Sequence, residues 1–167
     1  MKEAFGVPVH INVIEHADIL FALDSRVTAS SPYMFPTESP SDLVEFLSGK
    51  NQGNTYVWKN EEGRLISSLT LVDRPEHDAI EILSIGVDPD LQSQGYGGEM
   101  ISFAEQLASL SGHRKLYLLT SPKNKRAIGF YLNNGFRITG SETDYFGNKE
   151  LRHIMTKDLA KNPKTRA

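Results

Sequence analysis

Apolar and polar positions follow two rhythms along the chain. Val7, Val9, Ile11 and Val13 stand at every second position, which predicts a half-buried strand over residues 7–14. Ile19, Leu20, Leu23 and Val27 recur at helical spacing and predict a helix over 17–29. Two prolines within 30–36 break that pattern. Ser39-Pro40-Ser41-Asp42 reads as a helix start, with Ser39 as N-cap, Pro40 at the first helical position and Asp42 near the positive dipole end. Leu43, Phe46 and Leu47 give that helix a buried stripe, and Gly49 can close it. Residues 55–58 and 64–71 read as strands joined by the turn Glu61-Glu62-Gly63. A polar loop, Arg74-Pro75-Glu76-His77-Asp78, precedes an apolar run over 79–87 that reads as a buried strand. Met100, Ala104, Leu107 and Ser111, with Ile101 and Ala108 beside them, predict a helix over 99–111. A short strand over 115–120, a helix over 125–134 ended by Gly135, and strands over 136–139 and 151–156 complete the order. The sum is a mixed sheet with helices on its faces, an α/β (α+β) arrangement. One domain over residues 1–160 and a polar, frayed tail over 161–167 are expected.

Between the apolar strand and the helix that follows lies Val87-Asp88-Pro89-Asp90-Leu91-Gln92-Ser93-Gln94-Gly95-Tyr96-Gly97-Gly98. Glycine lets backbone approach a ligand closely and adopt positive φ at little steric cost. The first amides of a helix lack internal partners and carry the positive end of its dipole. Together these features suit a phosphate or pyrophosphate. A strand-to-helix turn that uses glycine only for its geometry is the other reading, although three glycines within 95–98 exceed what a simple turn needs.

The run Gln92-Ser93-Gln94-Gly95-Tyr96-Gly97 fits the pattern Q/R-x-x-G-x-G/A, with Val87 and Pro89 upstream. It resembles the acetyl-CoA signature of the GNAT N-acetyltransferase superfamily. Asn124 and Phe130-Tyr131-Leu132-Asn133-Asn134-Gly135-Phe136, similar to the family's F-Y-x-x-x-G-F element, extend the resemblance downstream. It is strong over 79–138 and weak before residue 50. It implies a mostly antiparallel mixed sheet of about seven strands with about four helices. It also implies two strands that splay to admit the pantetheine arm. Acetyl-CoA becomes the expected cosubstrate. By the resemblance, Gln92, Ser93, Gln94, Gly95, Tyr96, Gly97 and Gly98 hold the pyrophosphate, while Ile85, Gly86 and Val87 offer backbone groups to the pantetheine amides and the thioester oxygen. Gly86 inside a strand is costly without a reason, and close approach of a ligand is one.

Candidate chemistry follows from the same alignment of motifs. The resemblance places Tyr131 before the CoA sulfur. An alkyl thiol has a pKa of about 8.5 and a phenol one near 10, so a neutral tyrosine can protonate the departing thiolate. Spacing alone would make Tyr131 a packing partner of Phe130 and Phe136. Glu81 interrupts an apolar run, and a carboxylate in a buried strand needs a partner or a task. It lies 11 residues before Gln92, similar to the base position in the histone-acetylating branch, and would deprotonate the acceptor ammonium. The alternative is a solvent-facing rung at the strand start. His77, in the polar loop, is a second candidate base or a solvated side chain. Asn124 is an N-cap, a pantetheine contact, or both. Lys123, Lys125 and Arg126 either meet the 3′-phosphate of CoA or solvate a helix start. Tyr33, Met34 and Phe35, with the loop around Tyr145, either line the acceptor pocket or belong to the core.

Composition narrows the field further. The 167 residues are 39% hydrophobic and 23% charged, ordinary for a globular chain. A net charge of −3 leaves no basic footprint for nucleic acid and suits a cationic amine acceptor, small molecule or peptide. No apolar run approaches the roughly 18 residues that span a bilayer, and no signal core opens the chain, so no membrane partner and a cytoplasmic location are expected. The absence of cysteine excludes a disulfide frame, a thiolate nucleophile and a cysteine zinc site, and no histidine cluster suggests a metal. P-loop, dinucleotide and nucleophile-elbow motifs are missing. The expected activity is N-acetyltransfer to a primary amine by direct attack in a ternary complex. A non-catalytic CoA-binding sensor or regulatory module, and an ATP-binding protein, are the alternatives. Pairing of two copies through edge strands is a further implication of the resemblance.

Overall fold

The computed structural model describes residues 6–31 and 37–160. Tyr33, Met34 and Phe35, and the tail expected to fray, lie outside them. Seven strands form one sheet. They are β1 (Val9–Ile11), β2 (Asn54–Lys59), β3 (Leu65–Arg74), β4 (Ala79–Val87), β5 (Lys115–Thr120), β6 (Arg137–Thr143) and β7 (Leu151–Asp158). Four α-helices accompany them: α1 (Ala17–Ser30), α2 (Pro40–Val44), α3 (Tyr96–Leu110) and α4 (Lys125–Asn133). The strand order is β1-β2-β3-β4-β5-β7-β6. Pairing is antiparallel for β1 with β2, β2 with β3, β5 with β7 and β6 with β7, and parallel for β4 with β5. This is the mixed, mostly antiparallel sheet expected.

The chain forms two compact units. Among the described residues, one holds 6–31, 37–72 and Leu83–Met100; the other holds Asp73–Ile82 and 101–160. In the first unit, α1 buries Leu20, Leu23 and Val27, the stripe predicted, while Ile19 stays 57% exposed at its edge. Ser39 caps α2 by accepting the Asp42 amide at 3.1 Å. The helix then widens into a π turn over Glu45–Gly49 that buries Leu47. The β2–β3 turn closes with Gly63 at φ 80°, and the Gly63 amide donates to the Asn60 carbonyl at 2.9 Å. In the second unit, β5 alternates, with Leu116, Leu118 and Thr120 buried on one face. Lys115, Tyr117 and Leu119 take the other face.

Three elements depart from expectation. β1 covers three residues rather than eight, and Val9 is 51% exposed. It is an edge strand, so alternation there does not imply burial on one face. β3 runs on past residue 71 through Asp73 to Arg74, the residue that reads as the start of the polar loop. α3 starts at Tyr96, so Gly97 and Gly98 belong to its first turn instead of preceding it. Glycine weakens helix interiors, but a first-turn residue gives up no internal amide bond.

Candidate functional site

β4 leads out of the sheet into the glycine stretch, and a buried ionic knot fixes the exit. The Asp88 amide donates to the Ile66 carbonyl at 2.8 Å. Its carboxylate, 1% exposed, accepts a fork from Arg26 at 2.7 and 3.0 Å and a third bond from Arg64 at 2.6 Å. It also caps the short 3₁₀ turn Pro89–Leu91 through the Asp90 amide at 3.0 Å. The Gln92 side chain donates to the Val87 carbonyl at 3.1 Å, tying the loop back to the strand end. Ser93 and Gly95 then take left-handed conformations, φ 65° and 90°. Ser93, Gln94 and Gly95 are exposed, and Tyr96 is buried beneath them. The Glu99 amide returns to the Gly95 carbonyl at 3.3 Å and closes the first helical turn. Two left-handed residues followed by a glycine-bearing helix start are backbone features that suit an anion site.

Ile85, Gly86 and Val87 form the half-buried end of β4. A Cβ on Gly86 would sit 3.3 Å from Cγ2 of Val27. The packing of α1 is therefore a reason for glycine there in its own right.

In the second unit, Glu81 is 1% exposed, which removes the solvent-facing alternative. Its register partner on the parallel strand is Tyr117. Arg74 Nε donates to Oε2 at 2.9 Å and the Tyr117 hydroxyl to the same oxygen at 3.2 Å. The Tyr145 hydroxyl reaches both oxygens, at 3.0 and 2.9 Å. Burial raises the Tyr117 and Tyr145 phenols above their ordinary value, and the negative charge of Glu81 adds to the shift. Burial alone would lower the Arg74 guanidinium, but the hydrogen bond to Glu81 and its charge more than offset that. The β6–β7 loop that carries Tyr145 is braced by Asp144, whose carboxylate accepts the Lys149 amide at 2.7 Å.

Arg74, His77, Tyr117 and Tyr145 help line a cavity of about 730 Å³ in this unit. His77 is mostly exposed and meets the Tyr117 ring edge-on at 6.0 Å. The structure thus brings Glu81 together with Arg74, Tyr117 and Tyr145. The alternation of Lys115, Tyr117 and Leu119 against the buried Leu116 and Leu118 was the available signal for Tyr117.

Tyr131 is 8% exposed on α4, packed edge-on against Phe130 at 5.2 Å and Phe136 at 5.6 Å. Burial raises its phenol above the ordinary value, so it is neutral and able to donate. Asn124 caps α4 by accepting the Ala127 amide at 3.2 Å. Lys123, Lys125 and Arg126 are exposed at that helix start. Among the described residues, no three His, Cys, Asp or Glu side chains gather as a metal site, and no helix is long and apolar enough to cross a membrane.

A seven-stranded mixed sheet whose fourth strand leads through a glycine loop into a helix places the chain in the α+β class. The model of the Acetyltransferase (GNAT) family matches residues 21–136, and the chain belongs to that family. "Probable N-acetyltransferase 14" of Xenopus tropicalis is 27% identical over 101 residues, covering 59% of this chain and 49% of that protein. The amino-acid acetyltransferase of Mannheimia succiniciproducens is 24% identical over 139 residues, covering 82% of this chain and 31% of that protein. The chain therefore spans about half and about a third of the length of these two relatives. In fold it is similar to the ribosomal-protein-S18-alanine N-acetyltransferase of Escherichia coli, with a TM-score of 0.72, 18% identity and coverage of 96% of this chain and 98% of that one.

Proposed function

We propose that the chain moves the acetyl group of acetyl-CoA to a primary amine, with both substrates bound and the amine attacking the thioester directly. The observation that carries this reading is the loop from Gln92 to Gly98. Two left-handed residues and a glycine-bearing first turn present main-chain amides where a pyrophosphate would sit. Ile85, Gly86 and Val87 would hold the pantetheine arm and polarise the carbonyl through backbone groups. Asn124 would contact the same arm, Tyr131 would give a proton to the departing sulfur, and Glu81 would receive the proton of the acceptor ammonium. A lysine-like amine, with a pKa near 10.4, cannot attack until that proton is gone.

The test is thiol release from acetyl-CoA with four amines: spermidine, lysine, a peptide with a free N-terminus and kanamycin. At least one should release CoA well above the rate with water, and the N-acetyl product should appear by mass spectrometry. One observation favours a second reading, a CoA-binding module without turnover. Both oxygens of Glu81 already accept bonds from neighbouring side chains. Acetyl-CoA binding by calorimetry with no thiol release on any of the four amines would decide for it.

A further inference from the structure

We propose that Tyr145 is the proton relay of this site, the group that touches the acceptor amine and passes its proton to Glu81. The inference rests on the transferase reading above. Glu81 is 1% exposed and cannot itself touch an acceptor. Tyr145 is 36% exposed, lines the cavity, and contacts both Glu81 oxygens through one hydroxyl. Tyr117 also lines the cavity, but its bond to Glu81 is longer, 3.2 Å, and reaches one oxygen.

An N–H bond of the ammonium breaks and its proton goes to a lone pair on the Tyr145 oxygen. The O–H bond that Tyr145 held breaks and its proton goes to Glu81. The amine is left neutral with its lone pair free, Glu81 becomes a neutral acid, and the tyrosine is neutral before and after. Glu81 returns its proton by the reverse route once product has left. Arg74 fixes Oε2 from the side of β3 and leaves Oε1 to Tyr145. The other ionisable walls of the cavity are Glu76, His77, Asp78, Arg114, Lys115 and Glu142. Of these His77 is the base that could stand in Tyr145's place.

Tyr145→Phe keeps the ring and its edge-on contact with Phe146 at 5.0 Å. The readout is kcat/KM against pH, with whichever of the four screened amines wild type acetylates, and with hydroxylamine, which is neutral at pH 7. The relay predicts a loss of about 10²-fold or more at pH 7 on the basic amine. It predicts an unchanged acetyl-CoA Kd and a rate that climbs about tenfold per pH unit toward the amine's own pKa. Hydroxylamine, with no ammonium proton to lose before attack, should bring the variant within a few-fold of wild type. Placing 3,5-difluorotyrosine at 145, which keeps the hydroxyl but lowers its pKa, should move the alkaline limb down.

A wild-type profile in Tyr145→Phe, an equal deficit with hydroxylamine, or an unmoved limb in the fluorinated protein overturns the relay. So does the same behaviour found in Tyr117→Phe or His77→Ala but not in Tyr145→Phe. A wild type silent on all four amines overturns the transferase reading, and the relay with it.

Discussion

Tyr131 holds a neutral phenol among aromatic rings, and its two possible roles can be separated by removing one atom. Phenylalanine keeps the edge-on packing against Phe130 and Phe136, so Tyr131→Phe should change stability by about 1 kcal/mol or less. If the hydroxyl protonates the departing thiolate, kcat at saturating substrates should fall by about 10²-fold while the acetyl-CoA Kd holds. Stopped-flow thiol release and calorimetry measure the two quantities, and an unaltered kcat removes the acid role. The packing of this residue was visible in the F-Y-x-x-x-G-F spacing, because neighbouring aromatics on one short helix have few other places to go. Glu81 was legible only as a problem: a carboxylate in an apolar run needs partners. The partners were not legible. Arg74 lies 7 residues away, Tyr117 lies 36 and Tyr145 lies 64; register between β4 and β5 brings Tyr117 alongside, and the β6–β7 loop brings Tyr145.

At the scale of elements, the junction of β4 with α3 depends on Asp88 more than on the glycines that follow. One buried carboxylate joins α1 through Arg26, the β2–β3 hairpin through Arg64, and the 3₁₀ turn through the Asp90 amide. Asp88→Ala removes the hydrogen bonds of one buried carboxylate to two half-exposed guanidinium groups and to the Asp90 amide, and losing a hydrogen bond to a charged group costs about 1.5–3 kcal/mol. Arg26 and Arg64 are 43% and 54% exposed and can rehydrate, which keeps the loss near that lower bound. Urea unfolding should show it, and the acetyl-CoA Kd should rise because the amide row shifts with the turn. A stability loss with an unchanged Kd would separate the loop's shape from its anchor. The glycines were readable because they punctuate a strand and a helix. The anchor was not, since Arg26 is one charge among many on the polar side of α1. The start of α3 was set three residues late for a related reason. The periodic pattern begins after the glycines, and the backbone bond from Glu99 to Gly95 that includes them leaves no mark in hydropathy.

Across the whole molecule, element order was legible because each strand and helix carries its own period. The division into two units was not, since β4 changes unit between Ile82 and Leu83 in mid-run with no break in its apolar pattern. A property that sums over the fold is its response to alkali. Tyr117, Tyr131 and Tyr145 each have a pKa raised above the ordinary value, burial being the largest cause. In the unfolded chain a tyrosine ionises near pH 10. Between that point and the raised value, the folded chain binds more protons than the unfolded one, so stability falls as pH rises. Below pH 10 both states hold the phenolic protons, and these groups give no slope. Tyr131, the most buried, contributes up to about 1.4 kcal/mol per pH unit above 10. Tyr117 and Tyr145, partly open to solvent, contribute less. Tyrosinate absorbance above pH 10 should therefore show fewer ionised phenols in folded protein than in the same protein in urea, with Tyr117, Tyr131 and Tyr145 supplying the deficit. Urea midpoints should drop over the same interval and stay level with respect to these groups between pH 8 and about 10. A folded-chain phenol titration that coincides with the one in urea would mean that the Glu81 cluster and the α4 aromatic pocket are open to water. Both the relay and the acid assigned to this protein would then lose their footing.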